Sequence, residues 1–290
     1  MSEKTSKELA NPFIAIPIEN PLSSPEARIP VEMEDASGIL LQGKRLRSFA
    51  YTTDAAVIHN TNADAILAVY PFTGQPVINQ AILSVAQAPV FVGVGGGTTS
   101  GPRVAELAVF AEMQGVAGVV VNAPIDADMV NKVASIVHIP VVATVLDDDE
   151  TVDRKIEAGA RIINVAAGRN TPEIVARIKE RYPNIPLIAS SGGDPGSVRA
   201  TINAGANALT WTPPSAQMLQ KAMMDDYRHG RPAHHGSGAT MPAETPATYG
   251  SVTTSNSSAP QNTDNGHIII DTNLAHAPRH KLKNQLDGQE

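Results

Sequence analysis

Between residues 46 and 212, eight short runs of β-branched and aliphatic residues alternate with stretches of helical periodicity. The runs lie at 46–51, 65–70, 90–94, 119–122, 141–145, 162–165, 187–190 and 208–212. Strand and helix in strict alternation predict βα units on a parallel sheet. The helix at 172–182 illustrates the pattern, with Ile174, Val175, Ile178 and Tyr182 in one apolar stripe and Arg177, Lys179, Glu180 and Arg181 toward water. Asn170 and Asp194 precede Pro172 and Pro195 as helix caps, and Gly115, Gly159 and Gly205 close helices just before a strand.

An internal repeat supports the count. Residues 139–160 align without a gap on residues 185–206, an offset of 46, so that IPVVAT meets IPLIAS and IEAGA meets INAGA. A looser copy runs from Ala88 to Gly115. Two-βα units that recur in this way predict a closed (β/α)8 TIM barrel of the phosphate-binding type, with an open doubly wound sheet as the alternative.

Composition divides the chain into three parts. Residues 1–43 form a Pro-rich, acidic N-terminal extension, 44–231 the barrel, and 232–290 a Ser, Thr, Asn, Pro and Gly-rich tail; residues 1–35 and 232–290 are both expected to lack order. The apolar triplet Ile268 to Ile270 in that tail is a candidate strand or docking peptide, and five of the eight histidines lie there without ligand-like spacing. The chain has no cysteine, which excludes disulfides and thiolate chemistry. No apolar run has the length of a membrane span or a signal segment, so a cytoplasmic protein without membrane contact is expected. The overall charge is −7 with no basic block, which argues against nucleic acid.

In a barrel the chemistry sits on the loops that follow the strands, and departures from the internal repeat are informative there. The seventh strand runs into Ser191-Gly192-Gly193, where its repeat mate has Leu146 and Asp147; the third runs into Gly95-Gly96-Gly97. Paired glycines at two facing strand ends are candidate cradles for phosphate or carboxylate, and they are equally what tight βα turns require. The turn after the third strand matches neither a phosphate-binding P-loop nor the dinucleotide fingerprint. Asn122, Thr144 and Asn164 are uncharged polar residues at strand ends, suited to orienting a ligand, while Arg103 and Arg169 are placed to clamp an anion. Tyr51, Tyr70, Phe72 and Trp211 could stack on a planar ligand or simply pack under loops.

The segment IASSGGDPGSVRATINAGANALTW resembles the seventh strand, glycine loop, helix and eighth strand of ribulose-phosphate-binding TIM barrels, a resemblance that covers about residues 44–230. GVGGGTTSG, GVVVNAP and the Thr-Pro-Pro-Ser ending are similar to a bacterial family that carries the loose label hydrolase. The resemblance implies a phosphate site at the seventh and eighth loops, to which Ser215 would contribute, although Pro213 and Pro214 lack the N–H groups of that turn. It also implies an acid/base pair of carboxylates after the first and fifth strands, filled here by Asp54 and Asp147. Both residues equally suit helix capping.

The lysines at 44, 132, 155, 179 and 221 fall on helices or before the first strand, so a Schiff-base aldolase lacks its nucleophile. His59 and His138 fall on the face away from the loops, which disfavours a Ser-His-Asp hydrolase. The expectation is an enzyme that binds a small anionic, phosphorylated or carboxylated metabolite, as an isomerase, lyase or hydrolase. The alternatives are an FMN-dependent oxidoreductase and a barrel that binds or regulates without catalysis. Mg²⁺ on the acidic run 147–150 and FMN are the candidate cofactors. Barrels of this type pair, so a homo-oligomer is expected, with no interface legible.

Overall fold

A computed structural model describes residues 27–230. Eight parallel strands close into a barrel: β3 (Ser48–Tyr51), β4 (Ala65–Ala68), β5 (Val90–Gly95), β6 (Gly118–Val121), β7 (Val141–Val145), β8 (Ile162–Val165), β9 (Leu187–Ser190) and β10 (Ala208–Trp211). A helix follows each: α1 (Ala55–His59), α2 (Pro76–Val85), α3 (Arg103–Met113), α4 (Ala127–Ile136), α5 (Glu150–Glu157), α6 (Thr171–Arg181), α7 (Pro195–Asn203) and α8 (Ala216–Arg228). The chain thus has the TIM-barrel fold, and the open sheet is excluded by pairing of β10 with β3. The tail from residue 232, with its apolar triplet Ile268 to Ile270 and its five histidines, lies outside the described residues.

Alternation along each strand sorts the core into two shells. Inward-facing Phe49, Leu67, Phe91, Val120, Val142, Ile162 and Ile188 fill the barrel, with Phe49 edge-on to Phe91 at 5.2 Å. Gly118 makes room for Phe91: a Cβ there would lie 2.5 Å from the ring. Outward-facing residues such as Val92, Val119, Ala143 and Ile163 form the larger shell under the helices. Each repeat unit ends as its sequence implies, Gly159 and Gly205 holding φ values of +103° and +106° that L side chains avoid.

Three features differ from the sequence reading. The segment before the barrel is built rather than loose: β1 (Ile39–Leu41) and β2 (Lys44–Leu46) form a hairpin that plugs the barrel floor with Ile39 and Leu46. A 3-10 turn, Val31–Asp35, lays Met33 and Ala36 on Val198 and Leu209, against the outer side of β10. The first barrel strand consequently starts at Ser48 rather than 46. Asn170 does not cap α6 with its side chain, because a 3-10 turn, Gly168–Asn170, enters the helix and Thr171 Oγ1 accepts from Ala167 N–H instead.

Candidate functional site

The strand pattern carries polar side chains into the barrel one layer above the apolar fill. Thr144 follows inward-facing Val142, Asn164 follows Ile162, Ser190 follows Ile188 and Thr210 follows Ala208. Asn122, just past β6, continues the inward parity of Val120. These five line the mouth at the C-terminal ends of the strands, where barrels bind and react. The ring contains no carboxylate, lysine or histidine.

Two hydrogen bonds cross-link it. Thr210 Oγ1 donates to Ser190 Oγ (3.1 Å) and Asn164 Nδ2 donates to Thr144 Oγ1 (3.2 Å). Asn164 is 7% exposed, and its Oδ1 is buried without a partner. Exchanging the two ends of the amide leaves the same count, one end bonded to Thr144 and the other unmet. A buried amide group left so costs about 1–3 kcal/mol, and native interiors keep few of them.

The glycine turns lie across the mouth from each other, since β5 and β9 are four strands apart in the closed order. Much of their donor capacity is used within the chain. Gly96 N–H donates to Thr99 O (2.9 Å), and Gly192 N–H to Ser197 Oγ (2.8 Å). Gly95 packs outward, where a Cβ would meet Val104 at 2.7 Å, and Gly96 (φ +99°) lets the chain pass Asn122, whose Cβ would lie 2.5 Å from an added one. Gly97 and Gly193 are open on their Cβ sides. Beside the first turn is a depression of about 460 Å³ lined by Thr98, Thr99, Ser100, Pro102, Arg103 and Glu106.

The place implied for phosphate, the turns after β9 and β10, is filled by the protein's own side chains. Asp194 Oδ1 accepts from Ser197 N–H (2.9 Å) at the start of α7. At the start of α8, Ser215 Oγ accepts from Met218 N–H (3.2 Å) and Asp54 Oδ2 accepts from Ala216 N–H (2.8 Å). Asp54 also caps its own helix, Oδ1 accepting from Ala56 N–H (3.0 Å) and Val57 N–H (3.3 Å). One carboxylate thus ties the first and last barrel helices together. Carboxylates at both helix N-termini repel a phosphate there, so the FMN cradle does not fit this mouth.

Asp147, on the rim after β7, has an exposed side chain; its Oδ1 accepts from Asp148 N–H (2.8 Å) and from Arg177 at 3.4 Å. Asp148 and Asp153 pair with Arg181, and Asp153 also accepts from Tyr182 (2.9 Å). Arg181 and Tyr182 hold the Asp153 carboxyl below the usual carboxylate range. Asp147 and Asp148 of the acidic run are therefore bound to α6, and among the described residues no three His, Asp or Glu side chains gather as a metal site. Arg169 is exposed on the turn after β8 and Ser191 half-buried after β9. Tyr70 is tied down by Gln75 N–H and Asn79, and Trp211 packs on the outer shell, which leaves Tyr51 and Phe72 as the exposed aromatics of that set.

One residue was missed. Lys155 lies on α5, as expected, but its side chain runs back to the strand ends: Nζ donates to Ala123 O (2.9 Å) and Thr144 O (3.0 Å). The residue is 3% exposed, and burial pushes the ammonium pKa down.

Among the described residues no helix is long and apolar enough to cross a membrane. No protein-family model matches the chain, and no curated protein matches its sequence. Solved structures match in fold. A 2,3-dimethylmalate lyase of the PEP mutase/isocitrate lyase superfamily is 15% identical with a TM-score of 0.51, covering 71% of this chain and 88% of its own. A phosphonopyruvate hydrolase in complex with oxalate and Mg²⁺ is 15% identical (TM-score 0.49; 71% and 89% covered). A phosphoenolpyruvate phosphomutase from Streptomyces platensis subsp. rosaceus is 13% identical (TM-score 0.49; 69% and 86%). At such identities the likeness is one of fold, the TIM barrel.

Proposed function

We propose that the chain is a barrel enzyme of the lyase, isomerase or hydrolase type that takes a small phosphorylated or carboxylated metabolite at its C-terminal mouth. The observation that carries this reading is the unmet amide end of Asn164 within a ring of Asn122, Thr144, Ser190 and Thr210. The unmet oxygen takes a ligand hydroxyl, and with the amide ends exchanged the unmet nitrogen takes a phosphate or carboxylate oxygen; either partner recovers the cost of leaving the group unpaired. The finer resemblance to ribulose-phosphate-binding barrels is weakened at the turns after β9 and β10, where Asp194 and Asp54 stand in the phosphate's place. The lyase class is supported by the fold shared with the dimethylmalate lyase.

Of the two rim carboxylates, Asp54 is spent on three backbone amides, so acid–base work falls to Asp147, whose hold on Arg177 is loose and solvent-exposed. No metal-dependent step is proposed, because among the described residues no three His, Asp or Glu side chains gather as a ligand set. A binding barrel without catalysis is the second reading, favoured by the absence of any carboxylate, lysine or histidine in the ring itself. Thermal shift against carboxylates, sugar phosphates and polyols, followed by a turnover assay with each stabilising compound, decides between them. Turnover that Asp147→Asn abolishes supports the enzyme, and stabilisation without turnover supports the binding barrel.

A further inference from the structure

The internal repeat singles out Lys155. At its offset of 46 residues the equivalent position is Thr201, which is fully buried and satisfied locally by donating to Ser197 O (2.8 Å). A buried threonine therefore meets the folding needs of this position in one copy. The other copy places an ammonium there and sends it to the ends of β6 and β7. Its acceptors are two carbonyls, and the carboxylates of Asp149 and Asp126 act on it without a direct ion pair among the described residues. Burying an ammonium that has no direct ion pair is costly.

Both carbonyls belong to the mouth. Thr144 is the hydrogen-bond partner of Asn164, and Ala123 directly follows Asn122. Lys155 thus fixes the backbone at two of the five ring residues, one of which holds the Asn164 side chain, and it puts a positive charge behind that wall. Carboxylates stand at helix starts on both sides, Asp149 and Asp126 on this one and Asp194 and Asp54 on the other, but among the described residues only this side has a buried cation beside them. Resting on the function proposed above, we infer that Lys155 is a positioning residue that fixes where the ligand's anionic group sits: against Asn122, Thr144 and Asn164, on the β6 to β8 side.

The charged groups that face Lys155 are Asp149, which caps its own helix, and Asp126, which caps α4; β6 and β7 contribute none. Asp147, Asp148, Asp153, Arg177 and Arg181 form their own network on the α6 side. An anion at the mouth favours the protonated ammonium, so by linkage anion affinity must fall as Lys155 loses its proton below the ordinary lysine value of 10.5. The sign separates this role from simple scaffolding.

Inorganic sulfate is a suitable probe because its charge is constant over the range. Backbone NMR of the full chain near neutral pH is expected to show sulfate shifting the amides of Asn122, Thr144 and Asn164, with affinity declining toward alkaline pH. Lys155→Met is expected to bind about ten-fold more weakly, whereas Lys155→Arg stays within about three-fold and loses the alkaline decline. In case either variant folds poorly, the Lys155 side-chain resonance of the wild type gives a second reading: sulfate must raise its pKa. Shifts confined to Gly193 and Ser215, an unmoved Lys155 titration, or equal affinity in Lys155→Met would overturn the inference. Should sulfate fail to bind while a panel metabolite binds and is lost in Asn164→Leu, the Lys155 inference falls and the mouth site stands; should nothing bind, both fall.

Discussion

Asn164 and Thr144 face each other in register across β8 and β7, joined by a 3.2 Å hydrogen bond that satisfies one end of the amide and leaves the other buried and empty. Replacing the amide by a shape-matched apolar side chain removes one unmet group and leaves Thr144's hydroxyl as another, whereas removing Thr144's hydroxyl leaves both ends of the amide unmet. Asn164→Leu is therefore expected to melt close to the wild type, and Thr144→Val to lose about 1–2 kcal/mol in urea titration. Both should lose metabolite binding. A large destabilisation by Asn164→Leu would show that the amide is a structural group.

Asp54 is expected to behave as a double cap. Asp54→Ala frees Ala56 and Val57 in α1 and Ala216 in α8, and two such losses amount to about 1–3 kcal/mol. Asp54→Asn retains acceptor capacity and should cost less. Turnover per folded molecule, measured beside the urea curve, should hardly change; a large drop in the rate of folded Asp54→Asn would return Asp54 to the mechanism.

Gly96 and Gly97 separate contact from backbone strain. Both have positive φ, which costs an L residue about 1–2 kcal/mol. Only at Gly96 would a Cβ meet Asn122, at 2.5 Å, adding about 1–3 kcal/mol of overpacking. Gly96→Ala should thus unfold at lower urea than Gly97→Ala and weaken binding through Asn122. Equal behaviour would mean that the turn yields without moving the mouth.

The α5 to α6 network sets an acid limb of stability. Arg181 and Tyr182 depress the Asp153 pKa, and Thr151 depresses that of Asp149. A carboxyl whose folded pKa lies below 3.8 contributes stability that is complete above that value and is lost as pH falls through the folded pKa. Melting temperature should accordingly drop below about pH 4 in the wild type and drop less steeply in Asp153→Asn. Parallel acid limbs in the two proteins would remove this pair from the balance.

The barrel was legible because its signals are local and repeated. Each strand is a short apolar run, each unit ends at a glycine such as Gly159 or Gly205, and 139–160 repeats as 185–206. The floor hairpin was not, because its turn is Gln42-Gly43, with φ of +47° and +80°, where Asn-Gly would have announced it. The polar ring was half legible: Asn122, Thr144 and Asn164 stood out as polar strand ends, but which amide end goes unmet depends on the neighbouring strand. The self-contacts of the glycine turns were not legible because Ser197 and Thr99, which take the N–H groups of Gly192 and Gly96, are five and three residues away in sequence and look like ordinary helix-start residues. Lys155 was read by its backbone position, and a side chain that runs back along a helix to a strand end leaves no periodic mark. The repeat held the available clue, a lysine where its mate has Thr201.

Isothermal titration of the wild type and Asn164→Leu with the compound that stabilises the wild type most in the metabolite panel tests the mouth site directly. Binding at least about ten-fold weaker in Asn164→Leu, with an unchanged melting temperature, is the predicted result. Equal affinity in the two proteins would contradict it and place the ligand away from the ring of Asn122, Thr144, Asn164, Ser190 and Thr210.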